Sequence, residues 1–229
     1  METIAIIGTG RMGSLIARKI KDKYRILLVD KDIRRCGNLA KDIHSIATGN
    51  LEVIKDADYI ILALPDRVIR DILPNINSFL KGHQIVINIS TSTMKKDLLD
   101  KINYRQNLIS VKIIGHYEEI NLGEIPLIII EETAKDEIKT KMIEIFSNIG
   151  IVLFGKEEDV EKVNTIAGEE AIKAAINIKK RLMEQNIKQE YWSIAIRNVA
   201  SGTMKAFSSG DIGPFAKRVV EELEKKNSL

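Results

Sequence analysis

The feature of this 229-residue sequence that most limits its possible folds is a glycine-rich turn placed directly after an apolar strand. Residues 4–7 are all apolar, and they lead into Gly8-Thr9-Gly10-Arg11-Met12-Gly13 and then into an amphipathic segment. At this spacing the first glycine allows a tight turn, the second lets the backbone approach a pyrophosphate, and the third lets the helix pack closely on the strand. The helix N-terminus then offers free N–H groups to phosphates. The turn predicts a Rossmann-type dinucleotide-binding unit, with these six residues at the pyrophosphate.

An acidic residue at the end of the second predicted strand supports this interpretation. Asp30 follows Gly8 by 22 positions (30 − 8), where a carboxylate can accept hydrogen bonds from the adenosine ribose. A carboxylate there repels a 2′-phosphate and favours NAD. Lys31, Arg34 and Arg35 could bind that phosphate, which keeps NADP open, or they could be solvent-exposed charges at a helix start.

Two further segments follow predicted strands. Ala63, Leu64 and Pro65 end one strand, and Ser90 opens a Ser-Thr-Ser-Thr run after the next. Cofactors bind at the carboxyl ends of parallel strands, so these four residues are predicted to contact the ribose or nicotinamide side. The run that begins at Ser90 could equally provide a helix N-cap.

Short apolar strands alternate with amphipathic helices through the first two-thirds of the sequence. The predicted strands are 3–7, 25–30, 59–64, 84–89, 108–113, 127–130 and 151–154, and the predicted helices are 12–21, 33–44, 68–80, 94–102 and 135–147. This alternation predicts an α/β fold with a doubly wound, mostly parallel Rossmann sheet. From residue 157 onward only helices are predicted, at 160–185, 189–208 and 214–226. We therefore expect a Rossmann domain at residues 1–155 and a small all-α domain at residues 156–229.

Composition argues against several classes of protein. The 35 basic and 32 acidic residues are mixed along the chain, so no nucleic-acid surface is predicted. Cys36 is the only cysteine, which rules out a disulfide within the chain, and no metal-ligand spacing appears. No apolar run approaches the ~18 residues that a membrane span needs. Because no basic leader precedes the first strand, we expect a cytoplasmic protein without a membrane partner.

With these motifs identified, the sequence resembles the pyrroline-5-carboxylate reductase family. Residues 4–13 are similar to that family's first strand and Gly-x-Gly-x-Met-Gly turn, which also occurs in 3-hydroxyacid and 6-phosphogluconate dehydrogenases. Residues 149–159, 186–207 and 209–214 are similar to its last strand, its second long helix and the following loop. The resemblance implies NAD(P)-dependent hydride transfer to a small imine or carbonyl substrate. It also implies a homodimer with interlocking C-terminal helices.

The substrate half departs from the family's pattern. Glu169-Glu170 stand where the family has Gly-Pro, and Gly115-His116-Tyr117 stand where it has a Pro-Asn turn. The family's Ser-Pro-Gly-Gly-Thr-Thr substrate loop is not found after the helix that begins at Pro214. These departures leave a second hypothesis, a non-catalytic dinucleotide-binding paralogue that acts as a redox sensor or a subunit. A third is a deazaflavin-dependent NADP reductase, which Asp30 and the long C-terminal helices disfavour.

The group that transfers a proton is harder to identify. His116 follows a strand end and could act as a general acid, although a surface histidine is the commoner explanation for such a position. Lys173 and Asn177 lie four apart and resemble the Lys/Asn pair of the 3-hydroxyacid dehydrogenases, but their helix is highly charged.

Two expectations concern packing. We interpret an apolar stripe in the C-terminal region as core or dimer interface; it consists of Ile194, Val199, Met204 and Phe207. We also expect that Gly10→Val or Gly13→Val abolishes dinucleotide binding while leaving the protein folded.

Overall fold

The computed structural model describes residues 1–227 and divides into two compact units, Met1–Thr165 and a second that begins at Ile166. The first unit contains an eight-stranded sheet of order β3-β2-β1-β4-β5-β6-β7-β8. Its strands are β1 (Thr3–Ile7), β2 (Arg25–Val29), β3 (Ile46–Thr48), β4 (Tyr59–Leu62), β5 (Ile85–Asn88), β6 (Leu108–Ile114), β7 (Leu127–Glu131) and β8 (Ile151–Gly155).

All neighbouring strands run parallel except β6 and β7, which are antiparallel. The helices of the first unit are α1 (Arg11–Ile20), α2 (Ile33–Ile43), α3 (Asp66–Asn77), α4 (Tyr117–Asn121), α5 (Asp136–Phe146) and the first turns of α6 (Glu157–Glu184). The doubly wound, mostly parallel sheet predicted from the sequence is confirmed. Because the chain leaves β1 toward β2 on one side and returns to β4 on the other, a crevice opens at the carboxyl ends of β1 and β4.

Both faces of the central strands are buried, as expected for parallel strands covered by helices on each side. Ile4 and Ile6 of β1 pack with Ile16 of α1 in one apolar cluster. Ala5 and Ile7 point to the other face and belong to a second cluster. Complete burial of a side chain such as Ile6 contributes about 1.5–3 kcal/mol to the free energy of folding. This rigid two-sided core holds the glycine turn at the end of β1.

Several local elements differ from the sequence prediction. The helix expected at 94–102 is wrong: only a 3₁₀ turn, Lys95–Asp97, forms there. Met94, Leu98 and Ile102 are still buried, so the apolar spacing serves successive turns rather than one helix. The strand β3 and the helix α4 were not predicted, because elements of three and five residues carry too little periodicity to detect.

The second unit is entirely helical in the part of the chain that the structure describes. Beyond the rest of α6 it contains α7 (Glu190–Ile194), α8 (Ser201–Ser209) and α9 (Pro214–Asn227). The break predicted near residue 186 is present, since Asn186 adopts a left-handed conformation with φ of 54°. The single helix expected at 189–208 is interrupted by a π-helical stretch at Ala195–Ala200. No helix in residues 1–227 is long and apolar enough to span a membrane.

The boundary proposed at residues 155 and 156 falls just before α6. The first unit continues through the first turns of that helix to Thr165. These turns lie on the sheet, where Val160 is buried and Asn164 bonds to β6.

Candidate functional site

The three glycines of the turn have different structural roles. Gly8 has a φ of +98°, and a β-carbon there would lie 2.4 Å from the backbone oxygen of Ala63. A β-carbon on Gly13 would lie only 2.0 Å from the backbone oxygen of Gly8. A β-carbon on Gly10 would have no neighbour within 4 Å. Packing within the protein therefore requires Gly8 and Gly13, whereas the missing side chain of Gly10 leaves open space in front of the helix N-terminus.

The expectation that Gly13→Val leaves the protein folded is wrong for this reason. The added side chain would collide with a backbone atom that cannot move without shifting β1. The same expectation for Gly10 is compatible with the open space beside it.

Asp30 ties the second strand to the glycine turn. Its Oδ2 accepts hydrogen bonds from the amide of Thr9 at 2.6 Å, the hydroxyl of Thr9 at 2.8 Å and the guanidinium of Arg35 at 2.9 Å. Its Oδ1 accepts one from the amide of Asp32 at 2.9 Å. Burial acts to raise the pKa of Asp30, but these hydrogen bonds outweigh it and lower the pKa to about 2. The carboxylate is ionised at neutral pH. Its Oδ2 already accepts three hydrogen bonds, whereas its Oδ1 accepts one and can accept another.

A cavity of about 480 Å³ opens beside Asp30 at the carboxyl edge of the sheet. Lys31 and Arg35 line it next to Asp30, and Leu64 and Pro65 line its far side. The remaining walls are largely apolar and include Val29, Leu51, Val68 and Ile72. Its mainly apolar lining suits a heterocycle, and its charged residues suit a polar ribose beside Asp30.

A second cavity of about 420 Å³ continues from the first on the other side of the turn. The two share four wall residues, namely Gly10, Ala63, Leu64 and Pro65. The second cavity extends past Met12 and Ser90 to Ile113, Gly115 and Asn164. Its side-chain polar groups come from Arg11, Ser90, Thr91 and Asn164, and the rest of its surface is mainly apolar.

Most residues predicted to bind the cofactor line one of these two cavities. Those are Gly8, Gly10, Arg11, Met12, Asp30, Lys31, Ala63, Leu64, Pro65 and Ser90. Thr9 and Gly13 are buried behind the cavities and support the turn. Arg34 lines an open groove between α1 and α2, together with Arg18 and Asn38, and Arg35 lines both this groove and the cavity beside Asp30.

The candidates for proton transfer are placed differently. His116 is exposed and precedes α4, one residue beyond the cavity-lining Gly115. Lys173 is exposed in the second unit, where its ammonium pairs with Glu170 at 2.7 Å. Asn177 is also exposed on that helix.

Sequence reasoning missed two polar residues near the second cavity. The Nδ2 group of Asn164 donates to the backbone oxygen of Ile113 at 2.9 Å, so its Oδ1 is available as an acceptor. Lys112 lies within β6 and is completely buried. A lysine inside a predicted buried strand was the available signal for Lys112, whereas Asn164 had none.

The N-terminal part of the chain matches a known family. Residues 3–92 match the model described as NADP oxidoreductase, coenzyme F420-dependent. A curated Glycerol-3-phosphate dehydrogenase (NAD(P)+) from Carboxydothermus hydrogenoformans is 32% identical over 111 residues. This match covers 44% of the present chain and 33% of the dehydrogenase, so the chain spans about a third of that relative's length.

Solved structures share the fold over nearly the whole chain. A pyrroline-5-carboxylate reductase from Coxiella burnetii superposes with a TM-score of 0.72 at 13% identity, covering 98% of this chain and 90% of that one. Plasmodium falciparum pyrroline carboxylate reductase with NADP bound gives a TM-score of 0.66 at 14% identity, covering 99% and 90%. The chain therefore has the fold of the pyrroline-5-carboxylate reductases, a mostly parallel Rossmann sheet followed by a helical region, and its N-terminal part resembles the coenzyme F420-dependent NADP oxidoreductases.

Proposed function

We propose that this protein is an NAD(P)-dependent oxidoreductase that transfers a hydride between the cofactor and a small imine or carbonyl substrate. The observation that carries the proposal is the pair of adjoining cavities that meet at Gly10. One cavity ends at the ionised Asp30 and the other at Asn164, with the glycine turn between them. This arrangement matches the three parts of a dinucleotide: an adenosine, a pyrophosphate and a nicotinamide riboside.

Each part of the cofactor has partners in this chain. The Oδ1 atom of Asp30 and the ammonium of Lys31 are placed for the adenosine ribose. The free N–H groups at the start of α1 are placed for the pyrophosphate, which passes Gly10 where no side chain obstructs it. Ala63, Leu64, Pro65 and Ser90 line the route to the nicotinamide end. When bound, the nicotinamide supplies or accepts the hydride.

The substrate end combines apolar walls with few polar groups. Met12, Ile89 and Ile113 exclude water from one side, and the Oδ1 of Asn164 offers a hydrogen-bond acceptor. An acceptor there would orient a protonated imine or the hydroxyl of an alcohol. The names of the related proteins support this substrate class, because pyrroline-5-carboxylate is a cyclic imine and glycerol 3-phosphate is an alcohol.

His116 is the candidate general acid. It is exposed and follows Gly115, which lines the second cavity. The expected result is that His116→Gln lowers turnover at least tenfold and leaves dinucleotide affinity within twofold. Unchanged turnover would remove His116 from the mechanism.

We also propose that the second unit forms a homodimer. The apolar stripe is exposed in the single chain, with relative accessibility of 46% at Ile194, 63% at Val199, 49% at Met204 and 60% at Phe207. The interpretation of this stripe as monomer core is therefore wrong, and the interface interpretation is the one retained. An apolar groove of about 300 Å³ between α8 and α9 adjoins it. Exposed apolar surface of this extent indicates an interaction site, and the resemblance in fold favours a second copy as the partner.

Titration with NADH and NADPH, followed by cofactor fluorescence, tests the binding site. Gly10→Ala should leave thermal stability nearly unchanged and weaken binding at least tenfold, because its methyl group occupies the pyrophosphate position. Gly37→Ala is the matched control, since a β-carbon there also meets no neighbour within 4 Å but lies away from both cavities. Equal affinity of the Gly10→Ala and Gly37→Ala variants would refute the site.

Catalysis needs a separate assay. Cyclic imines and 2- and 3-oxo acids are supplied with NADH or NADPH, and a reduced deazaflavin with NADP is tested in parallel. Turnover of an imine or oxo acid supports the proposal. Deazaflavin turnover alone would assign the protein to the activity in the name of the family matched by residues 3–92. Tight dinucleotide binding without any turnover would support the non-catalytic paralogue.

A further inference from the structure

Lys112 is the largest completely buried side chain in the described part of the protein. Along β6 the side chains alternate, so that Ile109, Val111 and Ile113 pack into one apolar cluster. Lys112 points to the opposite face, on which Leu108 belongs to the second apolar cluster. An ammonium group enclosed in this way must find hydrogen-bond acceptors inside the protein, because burying it alone is costly.

Its acceptors belong to the segment that connects β5 to the 3₁₀ turn. The ammonium of Lys112 donates to the backbone oxygen of Ser90 in a short contact and to that of Thr93 at 2.7 Å. The Oε2 atom of Glu157 lies 3.5 Å from the same nitrogen. The buried ammonium is therefore compensated by two hydrogen bonds and one longer ion pair.

Glu157 completes the arrangement from the first turn of α6. Its Oε2 accepts from the hydroxyl of Ser110 in a short contact, and its Oε1 accepts from the amide of Lys95 at 2.8 Å. The segment between Ser90 and Lys95 is consequently held between an ammonium from β6 and a carboxylate from α6.

Other charged groups surround this pair. Glu131 of β7 pairs with the ammonium of Lys95 at 2.6 Å, and Glu161 of α6 adds negative charge near Lys112. Burial lowers the pKa of Lys112 to about 8, with Glu157 opposing the shift. Lys112 is thus mainly protonated at neutral pH, which its two backbone acceptors and the carboxylate of Glu157 favour.

The segment held by Lys112 forms a wall of the second cavity. Ser90 and Thr91 line that cavity, and the backbone oxygen of Ser90 is bonded directly to Lys112. Asn88 adds a second brace, because its Nδ2 donates to the backbone oxygen of Thr93 at 2.7 Å. Without Lys112, the backbone oxygen of Ser90 loses its donor. The amide of Ser90 remains bonded to the Oδ1 of Asn88 at 3.1 Å, and its hydroxyl to the hydroxyl of Thr93 at 3.0 Å.

We propose that Lys112 is a positioning residue that holds the Ser90–Thr93 segment in the shape required by the nicotinamide half of the cofactor. It does not touch the cofactor itself, and it does not act on the adenosine half. This inference rests on the proposed dinucleotide site, and it adds that Lys112 shapes the second cavity and not the first.

The test compares a half-ligand with the whole cofactor. ADP fills the adenosine and pyrophosphate positions, whereas NADH also needs the wall formed by Ser90 and Thr91. In K112M and in the charge-neutral K112M/E157Q variant, NADH affinity should fall at least tenfold while ADP affinity stays within twofold. K95M is the matched control, since it removes an ammonium from the same network without touching the Ser90 or Thr93 oxygens. In K95M, the affinities for both ligands should change by the same factor.

Amide hydrogen exchange of the ligand-free protein gives an independent readout. Exchange in residues 89–95 should accelerate at least tenfold in K112M/E157Q, whereas residues 59–64 should be unaffected. Faster exchange throughout the first unit, or equal loss of ADP and NADH binding, would reduce Lys112 to a general stabilising residue and overturn the proposal. If the wild-type protein binds neither ligand, the proposed function fails. Unchanged exchange at residues 89–95 in K112M/E157Q separately overturns the role of Lys112.

Discussion

The carboxylate of Asp30 receives both the amide and the hydroxyl hydrogen bonds of Thr9, so that one residue at the end of β2 fixes the turn after β1. Thr9 is itself buried and does not line either cavity. Its two hydrogen bonds fix the position of the glycine turn relative to Asp30. The acidic residue predicted to bind the ribose is therefore also a structural element of the phosphate site.

This relationship predicts a loss of stability in acid. The pKa of Asp30 is about 2 in the folded protein, below its usual value of 3.8. Its ionised form therefore stabilises the fold at pH values above about 4, and this contribution disappears as the pH falls through about 2. Asp30→Asn should lower the free energy of unfolding at pH 7 by on the order of 1–2 kcal/mol. Urea unfolding at pH 7 and pH 3 measures it, and a mutant deficit that is as large at pH 3 as at pH 7 would contradict the assignment.

Gly13→Ala should destabilise the fold far more than Gly10→Ala. The new methyl group would sit 2.0 Å from the Gly8 oxygen, and overpacking of this kind costs about 1–3 kcal/mol or more. For a chain of this size, each kcal/mol lowers the melting temperature by about 2–4 °C. Thermal unfolding monitored by circular dichroism compares the two variants directly. Equal melting temperatures would mean that the turn is more open than the structure indicates.

Arg35 should contribute to selection between the two cofactors. Its guanidinium lies 2.9 Å from Asp30, where it offsets the carboxylate charge that would otherwise repel a 2′-phosphate. Arg35→Ala should raise the dissociation constant of NADPH about tenfold, equivalent to about 1.4 kcal/mol, and that of NADH less than threefold. Arg18→Ala is the control, because Arg18 pairs with Asp42 and does not line the cavity beside Asp30. A parallel loss for both cofactors would show that Arg35 acts on the turn instead.

Phe207→Glu should separate the proposed homodimer. The side chain is 60% exposed in one chain and lines the apolar groove with Phe215. Placing a charge in a buried interface aromatic position should raise the dimer dissociation constant about a hundredfold, since such positions contribute 2 kcal/mol or more. Ser208→Glu adds the same charge at the neighbouring, exposed position. Light scattering at micromolar concentration measures both variants, and a monomeric wild-type protein would rule out the dimer.

The local features of the site were predictable because they depend on neighbours in sequence. An apolar strand, three spaced glycines and an acidic residue after the next strand determine where β1, α1 and β2 meet. The far end of the cleft was not predictable in this way. Asn164 bonds to the backbone oxygen of Ile113, and Lys112 pairs with the carboxylate of Glu157. Both contacts depend on how α6 packs against β6.

The direction of β7 was also not predictable from the sequence. Its apolar residues predict a buried strand, but a run such as Leu127–Glu131 reads equally well in either direction. Only tertiary pairing shows that Val111 lies opposite Ile130 in an antiparallel register. The short strand β3 depends in the same way on its pairing with β2, because three residues cannot specify an element alone.

The reversal at β7 has a consequence for how this protein can change in evolution. The strand pairing places the end of β8 level with Ser110 of β6 and with the carboxyl ends of β4 and β5, and α6 then runs along β6 as far as Ile113. Glu157 and Asn164 are seven residues apart (164 − 157), a rise of about 10 Å along the helix. The length of this helical stretch is therefore fixed, because one inserted or deleted residue would turn Asn164 away by about 100°. Loops elsewhere can tolerate changes in length, but this stretch of helix can accept only substitutions.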